Sequence, residues 1–207
     1  MALKGTAAIA IWSAIEPALL DDHDAWHSVE HFPERLSLPG FLRGRRSAAV
    51  DPAAAEQRFI FYEIESIAVA TSASYLERLN NPTPWSRKIM AGSRLNRTLC
   101  RVVASRGFGI GAHLLALRTA RGEGLATGLE AIARAPGIVG AHLLQKDANV
   151  ARPSTTEEKL RHGGADASAE WILLVEAYES RALEAIPRQA LAAEPAMRYT
   201  LAHVATR

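Results

Sequence analysis

The chain has 207 residues, 48% of them hydrophobic, with interspersed charges and a formal net charge of +2. That composition supports a buried core, excludes a disordered or fibrous chain, and gives nucleic acid no bulk electrostatic hold. The single cysteine, Cys100, cannot close an internal disulfide. No apolar run is long enough to cross a bilayer, and no cleavage-site pattern precedes the acidic stretch Glu16 to Asp24. A cytoplasmic location, away from membranes and nucleic acid, is the expectation.

Thr6 to Ile15, dense in Ala and Ile, reads as a buried strand. After the capping residues Asp21 and Asp22, the apolar positions Ala25, Val29, Phe32 and Leu36 recur at helical spacing. Pro33 should kink that helix, and Pro39-Gly40 ends it. Phe41 to Val50 and Phe59 to Glu65 read as strands around the turn Asp51-Pro52. Thr71 to Leu79 is a second helix capped by Thr71 or Ser72, Asn80 to Pro84 breaks it, and Leu99 to Ala104 is a fourth strand.

The order then recurs: strand Ile110 to Thr119, helix Gly124 to Ala135, strands Ile138 to Lys146 and Trp171 to Tyr178, helix Ala182 to Ala193, strand Met197 to Val204. Leu38-Pro39-Gly40-Phe41 is echoed by Ala135-Pro136-Gly137-Ile138, and Glu65-Ser66 by Glu179-Ser180. Two ferredoxin-like β-α-β-β-α-β units are therefore expected, over residues 1–107 and 108–207. The fold class is α+β: a tandem (βαββαβ)2 chain whose two antiparallel sheets pack as an α/β barrel with helices outside. Any ligand cavity is expected between the sheets. The polar segment Asp147 to Ala169 reads as a mobile loop, Pro82 to Arg97 as a solvated loop or lid, and the glycine-rich Arg106 to Gly111 as the connection between units.

Asp22-His23, Trp26, Glu30-His31, Pro33-Glu34-Arg35, Leu38-Pro39-Gly40-Phe41, Arg43 and Arg45-Arg46 together resemble the opening of the dimeric α/β-barrel superfamily. More narrowly they are similar to EthD-like and related uncharacterised proteins. The resemblance implies a ferredoxin-like fold paired through its sheets, hence a homodimer as one expectation. It implies no single activity, because the superfamily includes cofactor-free monooxygenases, isomerases and haem enzymes. The chain lacks the Gly-x-x-Asp-Gly pattern of haem peroxidases, which disfavours that branch, and no cofactor is expected.

His23, His27 and His31 are spaced to share a metal from one helix, but the wheel sets them opposite the apolar positions. A solvated or partner-facing surface, and no metal, is the expectation, with Pro33 leaving His31 able to turn toward the cavity mouth. Arg43 and Arg45 share one strand face and Arg46 the other. They read as guards of a sheet edge, as partners of Glu63 and Glu65, or as a grip on a carboxylate or enolate. The candidates to act on a proton and its charge are His31, His27, Arg43 and Arg45. The candidates to line the ligand are Trp12, Trp26, Tyr62, Glu63, His113 and His142.

Two functions remain open. The first is a small-molecule-binding barrel working without a cofactor (a monooxygenase, isomerase or decarboxylase-like enzyme) on a small apolar, aromatic or keto-acid substrate. The second is a non-catalytic binding or assembly module whose inter-sheet core is packed solid. The void between the sheets separates them.

Overall fold

The structure, a computed structural model, describes residues 3–150, 154–161, 169–187, 191 and 196–207. Eight strands run β1 (Ala7–Ile15), β2 (Phe41–Ala49), β3 (Arg58–Ile64), β4 (Ser93–Gly107), β5 (His113–Thr119), β6 (Ile138–Lys146), β7 (Trp171–Ala177) and β8 (Ala196–Thr206). They close into an antiparallel barrel in the order β1-β3-β2-β8-β5-β7-β6-β4. Each half supplies four strands in matching order, and the halves join edge to edge, β2 to β8 and β4 to β6. Both β2 and β6 carry a register shift after their first residue, at Phe41/Arg43 and Ile138/Gly140. Each follows a Pro-Gly turn whose glycine has positive φ, +84° at Gly40 and +85° at Gly137, a region L side chains avoid.

Closure corrects one expectation directly. β2 is not an edge strand: it pairs with β3 on one side and β8 on the other, so its arginines guard nothing. β4 is also longer than its apolar stretch indicates. Its first part pairs with β1 and its last part with β6, while Arg94, Asn96 and Arg97 disguise its start as loop.

Alternation along the strands sorts the side chains into an inside and an outside. Ala8, Ala10, Trp12, Phe59, Phe61, Leu114, Leu174 and Tyr199 fill the barrel. The other faces carry two separate layers. In the first half, Ile9, Ile11, Ile60, Tyr62 and Ile64 pack under Phe32, Leu36 and Tyr75. In the second, Leu115, Leu117, Leu143 and Leu173 pack under Leu125, Leu129 and Ile132 of α5 (Glu123–Ala133).

The remaining helices are α1 (Leu20–Trp26), a π turn (His27–His31), α2 (Phe32–Ser37), α3 (Ala73–Asn80), α4 (Pro84–Ala91), α6 (Thr156–Leu160) and α7 (Ser180–Glu184). Ser72 caps α3, accepting from the Tyr75 N–H at 3.3 Å. α4 lies where a solvated loop was expected. Thr83 is its N-cap and Pro84 its first residue, so the prolines that break α3 also start the next helix. The polar segment after β6 is helical at α6. Residues 151–153, 162–168, 188–190 and 192–195, which cover the rest of that loop and part of the last expected helix, lie outside the described residues. No described helix is long and apolar enough to cross a membrane.

Gly44 on β2 lets α2 settle on the sheet. A Cβ there would stand 2.4 Å from the Phe32 ring. Gly44→Ala should therefore push Phe32 out of its place and cost about 1–3 kcal/mol, read as a lower urea midpoint with an unchanged slope.

Candidate functional site

The histidine helix is inside out relative to its wheel. His23, His27 and His31 are buried, at 2%, 1% and 6% exposure, while Val29 is 71% exposed. Pro33 explains the inversion. In a regular α-helix its ring would collide with the carbonyl of Val29. The chain instead widens into the π turn just before it, with the Phe32 N–H bonded to the His27 carbonyl five residues back. Each residue of a wider turn rotates less, so positions four apart stay on one side. His23, His27, His31 and Arg35 consequently face the sheet, and a uniform rotation of about 100° per residue misplaces them.

Between that helix and the outer faces of β1 and β3 lies a cavity of about 30 Å³, room for about two water molecules. Ile11, Ile60, Ile89, Met90, Leu95 and Trp26 supply its apolar wall, and Ser13, Ser93, Tyr62, Arg161 and the three histidines its polar one. Four of these residues hold a buried polar atom without a hydrogen-bond partner in the protein: Ser13 Oγ, His27 Nδ1, His31 Nδ1 and Arg161 Nε. Buried polar atoms are ordinarily satisfied. Four orphans converging on one small cavity are the mark of a place that receives a polar guest.

The rings are held closely. Tyr62 Oη lies 3.3 Å from His27 Nε2, and His27 and His31 stand 5.3 Å apart. Trp26 stacks 4.3 Å from His31 and donates through Nε1 to Glu30 Oε1 and Ser86 Oγ, which fastens the π turn to α4. His23 Nδ1 meets the Asp24 carboxylate at 3.0 Å, and Arg58 and Arg46 meet Asp24 in turn.

Burial holds His27 and His31 well below the ordinary histidine range, and nearby arginines add to the effect. Burial lowers His23 as well, against the opposing pull of Asp24. Burial also raises Tyr62, so its phenol stays neutral. At neutral pH the site therefore holds neutral imidazoles, which accept protons. The unfolded chain protonates its histidines near pH 6.5 while the fold resists. Stability is thus fully present above pH 6.5 and declines below it, by about 1.4 kcal/mol per pH unit for each imidazole that stays neutral. His31→Gln should flatten this acid limb by about that amount per unit, measured as urea unfolding at pH 7.5, 6.5 and 5.5.

α6 closes the remaining side. Glu157 is buried between Arg35, its close ion-pair partner, and Arg161, 3.0 Å away. Arg35 also meets Glu34 at 2.9 Å. This charged knot fixes α6 over α2 and sets Arg161 in the cavity wall. No group of three or more His, Cys, Asp and Glu side chains placed to hold a metal occurs among the described residues.

The expected site residues separate into three places. Trp26, His27, His31 and Tyr62 meet at this cavity. Trp12, Arg43, Arg45, Glu63 and His142 point into the barrel instead, and His113 sits half-buried on the outer face of the second half, opposite Ala177 and Thr200. Inside the barrel Trp12 packs on Phe59 at 4.8 Å. Arg43 makes two 2.7 Å bonds to Glu63. Arg45 lies 3.2 Å from Glu63 and 2.7 Å from Glu176, and its guanidinium sits over the Phe61 ring. Glu176 also accepts from the Gly111 N–H and stands 3.3 Å from His142, which meets Ser105 at 2.9 Å. Arg45 and its neighbours hold Glu176 at a pKa of about 2 against the cost of burial.

The pairing of Arg43 and Arg45 with Glu63 is the structural one among the alternatives the sequence left open. The carboxylate on the far strand, Glu176, was missed as a partner because only barrel closure brings β7 to β2. The interior holds a void of about 10 Å³ beside Arg45 and Glu176, room for one water. The void beside these two side chains is therefore of water size, and aromatic and aliphatic side chains fill the interior around it. The usable cavity lies one layer out, under the helices. Ser13, Ile89, Met90 and Arg161 were not candidates in the sequence, since α4 and α6 looked like loops.

No family model matches the chain, and no curated protein matches it in sequence. Among solved structures it is similar to an anthrone oxidase-like protein, with a TM-score of 0.60, 12% identity, and 98% of this chain covering 93% of that one. A monooxygenase-like protein of Fusobacterium nucleatum gives a TM-score of 0.61 at 6% identity, over 99% of this chain and 96% of that one. A chlorite dismutase-like protein gives 0.57 at 9%, over 97% and 96%. The chain has the dimeric α+β barrel fold. Both halves of the barrel come from one chain here. Identities this low carry the fold and no activity.

Proposed function

We propose that this barrel protein is an enzyme that takes a proton from a small carbon or oxygen acid in the histidine cavity, without a redox cofactor. One observation carries the reading. Neutral, buried imidazoles hold Nδ1 atoms without a hydrogen bond at a cavity where Ser13 Oγ and Arg161 Nε also lack one. His31 Nδ1 stands 3.8 Å from Glu34, and Arg161 pairs with Glu157 through another nitrogen. His27 is the base. Tyr62 Oη accepts from the His27 Nε2–H, which leaves the Nδ1 lone pair to receive the proton. The electron pair stays on the substrate as an enolate or phenolate, next to Arg161 and the Ser13 hydroxyl. That step is shared by isomerisations and by oxygenations run without a cofactor, in keeping with the names of the structural neighbours.

His23, Trp26 and His31, from the helix that resembles EthD-like proteins, line this cavity, and the resemblance enters the reading only there. At about 30 Å³ the cavity holds about two waters, so even a three-carbon substrate needs its walls to yield. A thermal-shift screen of small carbonyl and phenolic compounds tests the proposal. Stabilisation by some of them, lost in His27→Gln or Ser13→Val, is expected. Stabilisation by none overturns it.

A further inference from the structure

We propose that the substrate of the histidine cavity carries a carboxylate and that Arg161 of the α6 segment receives it, which points to a small 2-oxo acid. The inference deepens the reading above and rests on it. Arg161 uses one terminal nitrogen on Glu157, at 3.0 Å, and keeps Nε without a partner in the cavity wall. A guanidinium that spends one nitrogen on a fixed carboxylate can present the others to a second one.

Among the described residues no acidic side chain lines the cavity; the other polar lining residues are the three histidines, Ser13, Ser93 and Tyr62. Arginines surround the cavity, with Asp24 opposing them at His23 and His27. Arg35 and Arg161 act on His31, and Arg46 acts on both His23 and His27. Glu157 and Glu34 are engaged by Arg35 and Arg161, and Asp24 by Arg58, Arg46 and His23. A 2-oxo acid satisfies Arg161 through its carboxylate and offers His27 the C–H on the far side of its keto group, whose oxygen takes the electron pair as an enolate. A neutral guest of the same shape supplies no charge to Arg161, whose Nε has no partner of its own.

The placement of Arg161 also assigns a role to the buried Arg35–Glu157 pair. It sets the distance between the residue that holds the substrate and the helix that carries the base. Arg161 is therefore a specificity residue and Glu157 a positioning one.

The experiment uses two probes of one shape, pyruvate and its neutral amide pyruvamide, titrated into the full chain while the imidazole signals of His27 and His31 are followed by NMR. Pyruvate is expected to bind roughly tenfold or more tighter than pyruvamide. Arg161→Gln should abolish the preference, and Arg161→Lys should restore part of it. Equal binding of both probes to the natural chain overturns the carboxylate proposal while the cavity stands as a ligand site. A preference that survives in Arg161→Gln overturns the assignment to Arg161. If neither probe moves the two imidazoles, this proposal falls. The proton-transfer reading then still rests on the thermal-shift screen, so the two failures are told apart. The wild-type comparison decides the first question even if a variant does not fold.

Discussion

Glu63→Ala is expected to destabilise the protein by about 3–5 kcal/mol, the cost of removing one partner from a buried ion pair. Glu63 is 1% exposed and accepts from Arg43, from the Lys4 N–H, and sits 3.2 Å from Arg45, all within or at the mouth of the barrel. Without it the two guanidiniums keep their burial and lose their common carboxylate. Replacing the pair together, Arg43→Met with Glu63→Leu, should cost much less than Glu63→Ala alone, because the desolvation of both charges disappears with them. Urea unfolding of the two variants checks this. Equal losses would mean that burial of charge is not what the ion chain balances. Glu176 belongs to the same chain, and its contribution shows at acid pH. Its pKa is held at about 2 against an ordinary 4.5. The stability it confers is thus complete above pH 4.5 and lost as pH falls toward 2, well below the histidine limb.

The second large effect is on chemistry. His27→Gln is expected to lower turnover of any substrate found by the thermal screen by roughly 10²–10⁴-fold, the usual contribution of a general base, with substrate affinity changed far less. Tyr62→Phe should act more gently. It removes the partner of Nε2 at 3.3 Å and so loosens the choice of tautomer. Its signature is a smaller loss of turnover than in His27→Gln, with substrate affinity little changed. Unchanged turnover in His27→Gln would remove the histidine from the chemistry and leave the cavity as a binding site alone.

How far the sequence reaches is visible in these same residues. The β-α-β-β-α-β order was legible because apolar strands and Pro-Gly turns announce themselves locally, and β6 begins and ends where its pattern does. The positions of Arg43 and Arg45 on one face followed from strand alternation. What they touch did not, since Glu176 comes beside Arg45 only when strands from the two halves close a ring. His27 and His31 were legible as candidates by type and lost as geometry. One proline changed the helix period, and the wheel turned them outward when the fold turns them in. α4 and α6 were hidden because their N-caps, Thr83 and Thr155, stand in stretches that read as breakers and linker. The second wall of the cavity was hidden with them.

The central claim is that the working cavity lies under the helices of the first half and not inside the barrel. Histidine-selective NMR with a compound that stabilises the protein tests it most directly, because His142 reports on the barrel interior while His27 and His31 report on the cavity. The account expects the signals of His27 and His31 to move on titration and that of His142 to stay. Movement of His142 with the other two unchanged would place the ligand within the barrel and contradict it.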